Sequence, residues 1–413
     1  MKNRKIILHL FALGCLALCP LAQPVSSPPD GGYPGGNTAE EQNALSSLTS
    51  GAYNTAVGLF SLTSNTEGNF NTAIGAGALL ANVGTSTFEG VENTAISAGA
   101  LLSNTTGEEN TANGAFALFS NTDGVGNTAT GASALFSNTI GTSNTASGSR
   151  TLSNNTEGSD NTATGSFALN RNITGRRNTA SGASALFNNT TGSSNTATGA
   201  FTLSSNTEGH DNTASGLQAL TNNTTGDFNT AIGRDALGNN TTGGTNTATG
   251  AEALLSNTIG SSNTAIGHGA LSSNTTNSLN TAIGASALGE NTGTNNIALG
   301  AGAGANLMTG DSNIDIGNTG VADESDTIRI GSEGTQTRTF IAGIREQQVG
   351  NDAVTVIIDS FGKLGTTVSS RRFKKEIKPM DKASEAILLL VVCCLIFLLS
   401  LSTPSDSCLN FCI

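Results

Sequence analysis

Apolar positions recur along this chain with a period too long for one helical turn or one strand. Between Asn37 and Asn295 the triplet Asn-Thr-Ala is written fifteen times, each time with a Leu six residues after its Ala. The spacing is 17 residues in nearly every copy, and Asn127-Thr-Ala-Thr-Gly-Ala-Ser-Ala-Leu-Phe-Ser-Asn-Thr-Ile-Gly-Thr-Ser143 is a typical unit. Only the unit starting at Asn71, which runs 22 residues to Glu92, and the one starting at Asn280, one residue short, break the count. A fixed period of this size means a stack of one small structural unit.

Counting each unit from its Asn, positions 1, 3 and 5 are Asn, Ala and Gly, with Glu41 and Ser97 as exceptions at position 5. Position 4 drifts among Val57, Ile74, Asn113, Thr130 and Ser147. Side chains alternate faces along a strand, so the near-invariant face is expected inside and the drifting face outside. Leu at position 9, usually after Ala, predicts a second short strand and the bulky anchor of each coil. Gly at position 15 and Asn-Thr at 12 and 13 predict tight turns in which Gly or Asn supplies positive φ. Asn side chains stacked in register predict an amide ladder. The expected fold is all-β: a parallel β-solenoid or β-roll, roughly 70 Å long at about 4.8 Å per coil. The five extra residues of the long unit, around Thr85 to Gly90, are expected to leave the stack as a loop.

Composition narrows what such a rod can do. There is no Trp, there are two Tyr, and Gly supplies 52 residues, so no conventional large core is available. The net charge is −12, with no Lys between Lys5 and Lys363. The repeats carry only Arg150, Arg171, Arg176, Arg177 and Arg234 as cations, and nucleic-acid binding needs clustered ones. No nucleic-acid partner is expected. Cysteines lie only near the ends (Cys15, Cys19, Cys393, Cys394, Cys408 and Cys412), so no disulfide framework holds the repeats. His9, His210 and His268 are isolated; no metal site and no cofactor are expected. One Leu and two Ala per coil make a small core for 17 ordered residues. Contact with further copies of the chain would add to it, and a homotrimer is expected. Leu at position 9 and Phe at positions 7 and 10 (Phe60, Phe116, Phe136, Phe187) are its candidate interface. Disorder is the competing reading of a chain rich in Gly, Ser, Thr and Asn, and the strict periodicity of Ala and Leu argues against it.

The flanks differ from the repeats. Residues 1–23 read as a secretory signal, with Lys2, Arg4 and Lys5 before an apolar stretch from Ile6 to Leu18. A secreted or cell-surface location follows as an expectation. Residues 24–36 read as a linker, 37–317 as the repeat rod and 318–368 as a β-rich neck. Thr327–Gly331, Thr339–Ile344 and Val354–Asp359 are the neck's candidate strands, with Ser360–Lys363 as a turn. After Ala386 an almost wholly apolar run, Ile387 to Leu401, leads to an end at Ile413. It falls short of the ~20 residues that span a bilayer comfortably. A shifted reading frame, a membrane tail and a buried helix are three accounts of it; only the second would make a membrane a partner.

Two resemblances bear on function. The units Asn71-Thr-Ala-Ile-Gly75 and Asn229-Thr-Ala-Ile-Gly233 resemble the head repeats of trimeric autotransporter adhesins. The resemblance implies a left-handed β-roll packed as a trimer, although those heads commonly repeat at a shorter period and their membrane anchor has no counterpart here. Ser369-Ser-Arg-Arg-Phe-Lys-Lys-Glu-Ile-Lys-Pro-Met-Asp381 resembles the start of the intramolecular chaperone auto-processing domain of phage tail spikes and tail fibres. That resemblance implies trimer assembly followed by self-cleavage with a Ser-Lys dyad. Ser369 would be the nucleophile, Lys374 the general base and Arg372 the arginine of the motif; Ser370 stands where the family often has Asp. The resemblance covers residues 369–386, a short helical remnant of a domain otherwise replaced by the apolar tail, so cleavage is expected to be lost or nearly so.

The leading expectation is an exported trimeric fibre of surface or tail-fibre type, acting in adhesion or as structure, with a cell-surface glycan or another surface ligand as partner. One alternative is a β-solenoid enzyme acting on polysaccharide. That chemistry wants two carboxylates at fixed separation, whereas Glu67, Glu157 and Glu208 are single acids at position 14. Another is ice binding through the Thr column at position 2, weakened because position 4 is not always Thr.

Overall fold

The computed structural model describes residues 33–84, 88–341, 356–358 and 364–366. Each coil contributes one three-residue strand, from β1 (Thr38–Glu40) to β18 (Ile328–Ile330), and these eighteen strands form one parallel sheet. Consecutive strands pair in register. Thr128, Ala129 and Thr130 of β6 (Thr128–Thr130) lie beside Thr145, Ala146 and Ser147 of β7 (Thr145–Ser147). The chain is thus a parallel β-solenoid built on the 17-residue repeat, and the described residues contain no helix.

The strand is short because its neighbours have other work. Asn127 and Ala129 are fully buried while Thr128 and Thr130 face solvent. Gly131, expected on the inward face, instead ends the strand with a φ of 125°. A Cβ there would stand 2.6 Å from the carbonyl oxygen of Gly148 in the next coil. Both the left-handed backbone and the close approach therefore exclude a side chain.

The expected second strand does not form. Ala134 and Leu135 are adjacent and both fully buried, which an extended strand cannot achieve because successive side chains point to opposite faces. The backbone meets the demand by turning left-handed at Ser133 (φ 56°) and again at Leu135 (φ 50°). Hydrogen bonds still run from coil to coil: the Ser133 N–H donates to the Ala115 carbonyl at 2.9 Å and the Leu135 N–H to that of Thr151 at 2.9 Å. Where Thr replaces Ala at position 8, its hydroxyl stays satisfied, as Thr151 Oγ1 donates to the Gly165 carbonyl at 2.6 Å. The Leu column is fully buried within its own chain and offers nothing to an interface between chains.

Polar stacking accounts for the rest of the interior. The expected ladder at position 1 is present: the backbone N–H and side-chain Nδ2 of Asn144 both donate to Asn127 Oδ1, at 3.0 and 3.1 Å. A second ladder runs through position 12, where Asn138 Nδ2 donates to Asn121 Oδ1 at 2.8 Å. Asn127 Nδ2 and Asn138 Nδ2 then share one acceptor, the carbonyl of Gly141, at 2.8 and 2.9 Å. Positions 12 and 15 were expected to supply positive φ, and neither Asn138 nor Gly141 does. Gly141 is glycine because a Cβ would collide with Asn138 Oδ1 and the Gly158 carbonyl.

The two irregular units show how the stack absorbs changes in length. In the long unit, Asn71 and Asn82 both donate to the Gly90 carbonyl, at 2.7 and 2.9 Å. Gly90 therefore takes the role of Gly141, and the extra residues fall between Asn82 and Gly90, with 85–87 outside the described residues. The sheet does not register the insertion, since Thr72 of β3 (Thr72–Ile74) pairs with Thr94 of β4 (Thr94–Ile96). In the short unit Gly293 follows Asn291 by two residues instead of three. Asn291 Nδ2 turns to the Leu307 carbonyl at 3.1 Å, so the position-12 ladder stops and Asn274 Oδ1 is buried without a partner.

The sheet continues through β17 (Ile314–Ile316) into β18, with Ile314 beside Ile328. Of the neck's candidate strands, Thr327–Gly331 contains β18, and Thr339–Ile341 is not strand. In the separate unit from Arg338 onward, β19 (Val356–Ile358) pairs antiparallel with β20 (Leu364–Thr366). The turn between them, like the expected helical remnant, lies outside the described residues.

Side-chain direction in the rod can be checked by substitution. Leu135→Asp is expected to destabilise by several kcal/mol because the charge is buried without a partner, and Gly141→Ala by about 2 kcal/mol through overpacking. Thr130→Asp should be tolerated. Thermal unfolding of the three variants reads the order, and equal tolerance of Leu135→Asp and Thr130→Asp would contradict the inward and outward assignment.

Candidate functional site

Ser369, Arg372 and Lys374 lie outside the described residues, as do the signal segment and the apolar run from Ile387. No helix among the described residues is long and apolar enough to cross a membrane. Among the described residues, chemically distinctive side chains lie on the surface of the solenoid and at the last coils of its sheet.

The outer sheet face carries two columns, positions 2 and 4. Across β6, β7, β8 (Thr162–Thr164), β9 (Thr179–Ser181), β10 (Thr196–Thr198) and β11 (Thr213–Ser215) both columns are hydroxylic. All of these side chains are exposed except the half-buried Ser215. Further along, the face turns aliphatic: Ile297 and Leu299 of β16 (Ile297–Leu299), Ile314 and Ile316 of β17, and Ile328 and Ile330 of β18. Sequence reasoning treated position 4 as simple drift and missed this zoning, although the residues themselves spell it out.

Aromatic side chains gather on the turns. Phe119 stacks on Phe136 of the next coil with ring centroids 5.0 Å apart and planes 3° from parallel, and Phe116 meets Phe119 edge-on at 5.8 Å. Tyr53 stacks on Phe70 at 5.2 Å. The Arg150 and Arg171 guanidinium groups sit over Phe167 and Phe187, at 5.8 and 5.3 Å from the ring centroids. Phe60, Phe116, Phe201 and Phe228 remain substantially exposed.

One carboxyl group is out of keeping with the repeat. Asp315 occupies the inward position that Ala fills in earlier coils, is 1% exposed, and neither carboxylate oxygen has a hydrogen-bond partner. Its register partner is Arg329, but that guanidinium is committed to Glu324: Nε donates to Oε1 and Nη2 to Oε2, both at 2.7 Å. Burial first, and the negative charge of Glu324 second, push the Asp315 carboxyl up to about 6, against the opposing pull of Arg329. Hydrogen bonding from Arg329 holds Glu324 below the usual carboxylate range. The break from Ala to Asp at residue 315 was the sequence signal for this site.

The acids considered for glycan cleavage do not converge. Glu157 and Glu208 are exposed on separate coils and Glu67 is half-buried. No cluster of three His, Cys, Asp or Glu able to hold a metal occurs among the described residues. Compared with known protein families, curated proteins and solved structures, the chain matches none.

Asp315 makes the last coils of the sheet sensitive to pH. Because its folded pKa is raised, the folded state holds a proton that the unfolded chain releases between pH 3.8 and about 6. Its contribution to stability is therefore present below pH 4 and is lost as pH rises through 6. Asp315→Ala should protect β17 and β18 against hydrogen exchange at pH 7.5 by on the order of 2 kcal/mol, and the gain over the native chain should shrink at pH 4. A gain that does not vary with pH would contradict this account.

Proposed function

We propose that this protein is an exported fibrous rod of surface or tail-fibre type that associates as a homotrimer and acts in adhesion or as structure. The observation that carries the reading is the pair of buried amide ladders, which ties coil to coil with directional hydrogen bonds. Stacked repeats of this kind behave as quasi-one-dimensional bodies and present long, regular surfaces. Such a body suits spacing and multivalent contact better than chemistry on a small substrate.

Exposed aromatics support self-association. Phe60, Phe116 and Phe201 at position 7 share one side of the coil, and Tyr53, Phe70 and Phe228 recur at position 17. Tyr53 and Phe70 stack in adjacent coils and are both exposed, and exposed apolar patches mark interaction surfaces. In this reading the exposed aromatic side chains, and not the Leu column, meet neighbouring chains, and a surface glycan or other ligand is met by faces left open in the trimer. Residues 369–386 are the start of a self-processing chaperone domain whose Ser369 and Lys374 need a desolvated setting to work.

Sedimentation of the chain tests the reading. The expected result is an elongated trimer that dissociates in a Phe60→Ser, Phe116→Ser and Phe201→Ser triple variant with unchanged circular dichroism. The intact mass of the same preparation should show no product ending at Val368. A monomer at all concentrations would refute the trimer, and a terminus at Val368 would refute the loss of self-cleavage.

A further inference from the structure

The two Thr columns of the rod are used differently. At position 13 the hydroxyl is consumed by the fold: Thr139 Oγ1 donates to the Thr156 carbonyl at 3.0 Å, Thr190 Oγ1 to that of Thr207 at 2.9 Å, and Thr224 Oγ1 to that of Thr241 at 3.0 Å. At positions 2 and 4 from β6 to β11, no hydroxyl has a hydrogen-bond partner among the described residues. Twelve hydroxyl side chains, from Thr128 to Ser215, thus face solvent in two parallel columns.

Strand formation does not explain the block. Position 4 is Glu40, Val57, Ile74, Ile96 and Asn113 in earlier coils and Ile232, Thr249, Ile266 and Ile283 in later ones, and β-branched aliphatics serve a strand as well as Thr. Within the block the same position reads Thr130, Ser147, Thr164, Ser181, Thr198 and Ser215 without interruption, and Ser is not a strand-favouring residue. Six consecutive coils thus carry at position 4 hydroxyls that make no hydrogen bond within the fold.

We propose that the outer face of β6 to β11 is an ice-binding surface. In-register strands repeat the hydroxyls at about 4.8 Å along the rod and roughly 6.6 Å across each strand. The result is an array that is regular in two directions. Side-chain ladders are among the devices that keep sheets from twisting, and both amide ladders run behind this face. Neither column carries a charge or an aromatic ring within the block. Unpartnered hydroxyls hold first-shell water by bridging hydrogen bonds, and the Thr methyl groups between them limit where that water can sit. A rigid, uncharged face of this kind fits ordered water. Recognition of an apolar protein partner would call instead for the Ile and Leu columns near β16 to β18. The inference does not depend on the trimer, because the aromatic positions assigned to self-association are on other columns.

The test is ice shaping, thermal hysteresis and incorporation of fluorescently labelled full-length protein into a growing ice hemisphere. The native chain should facet ice crystals and enter the hemisphere. Thr162→Tyr with Thr179→Tyr should lose most of the hysteresis, while Thr55→Tyr with Thr72→Tyr, outside the block, should keep most of it. Thr162→Val with Thr179→Val, which removes only hydroxyls, should fall between them with unchanged circular dichroism. Unshaped ice with the native chain, or equal loss in the inner and outer Tyr pairs, would overturn the proposal. So would retention on microcrystalline cellulose or chitin without any effect on ice, which would reassign the face to a polymer surface.

Discussion

Every typical coil depends on a single backbone carbonyl, that of the glycine at position 15. In the unit from Asn127 it is Gly141, and it accepts from the amide groups of Asn127 and Asn138 at once. Those amides lie in separate ladders, so one oxygen per coil ties two columns of buried side chains together. In a typical coil each ladder Asn Nδ2 spends both protons, one on its own coil and one on the coil before, as Asn127 does on Gly141 and Asn110. Buried polar groups left unpaired cost more than paired ones return, and here the pairing is complete over most of the rod. An interior built from Ala, Leu and Asn can therefore be narrow, because direction in the hydrogen bonds replaces the bulk of a conventional core.

The period, the parallel stack, the outward drift of position 4 and the ladder at position 1 were all legible in the sequence. So was the site of the insertion, because a solenoid can lengthen only where the chain leaves the stack. The misreadings share a cause. Asn138-Thr139 and Gly141 have the composition of a turn, and composition cannot distinguish a glycine chosen for positive φ from one chosen because two oxygens crowd its α-carbon. The Ala134-Leu135 pair carried its own correction, since two adjacent buried side chains cannot belong to one strand. Of the candidate chemistry, Ser369, Arg372 and Lys374 lie outside the described residues. The Asp315 site needed the fold to show that its carboxyl stands in the Ala column.

The regularity of the interior also explains where the rod departs from itself. One missing residue before Gly293 is enough to turn Asn291 away and leave Asn274 Oδ1 unpaired. Beyond that point the position-12 ladder is gone while the position-1 ladder continues to Asn313, the outer face becomes aliphatic, and Asp315 enters the core. The uniform interior leaves the outward positions free to vary, and they vary in blocks: hydroxylic over the middle coils and aliphatic over the last ones. A scaffold fixed inside and zoned outside can present more than one surface along its length.

The central claim is that amide stacking, as much as apolar burial, holds the coils together. Thermal unfolding of Asn138→Ala beside Leu135→Ala tests it directly. Loss of the Asn138 amide leaves Asn121 Oδ1 without its donor, Asn155 Nδ2 with one acceptor instead of two and Gly141 with one donor fewer. The account predicts that Asn138→Ala costs at least as much as Leu135→Ala, for which about 2–5 kcal/mol is usual in a packed core. A nearly neutral Asn138→Ala beside a costly Leu135→Ala would contradict it.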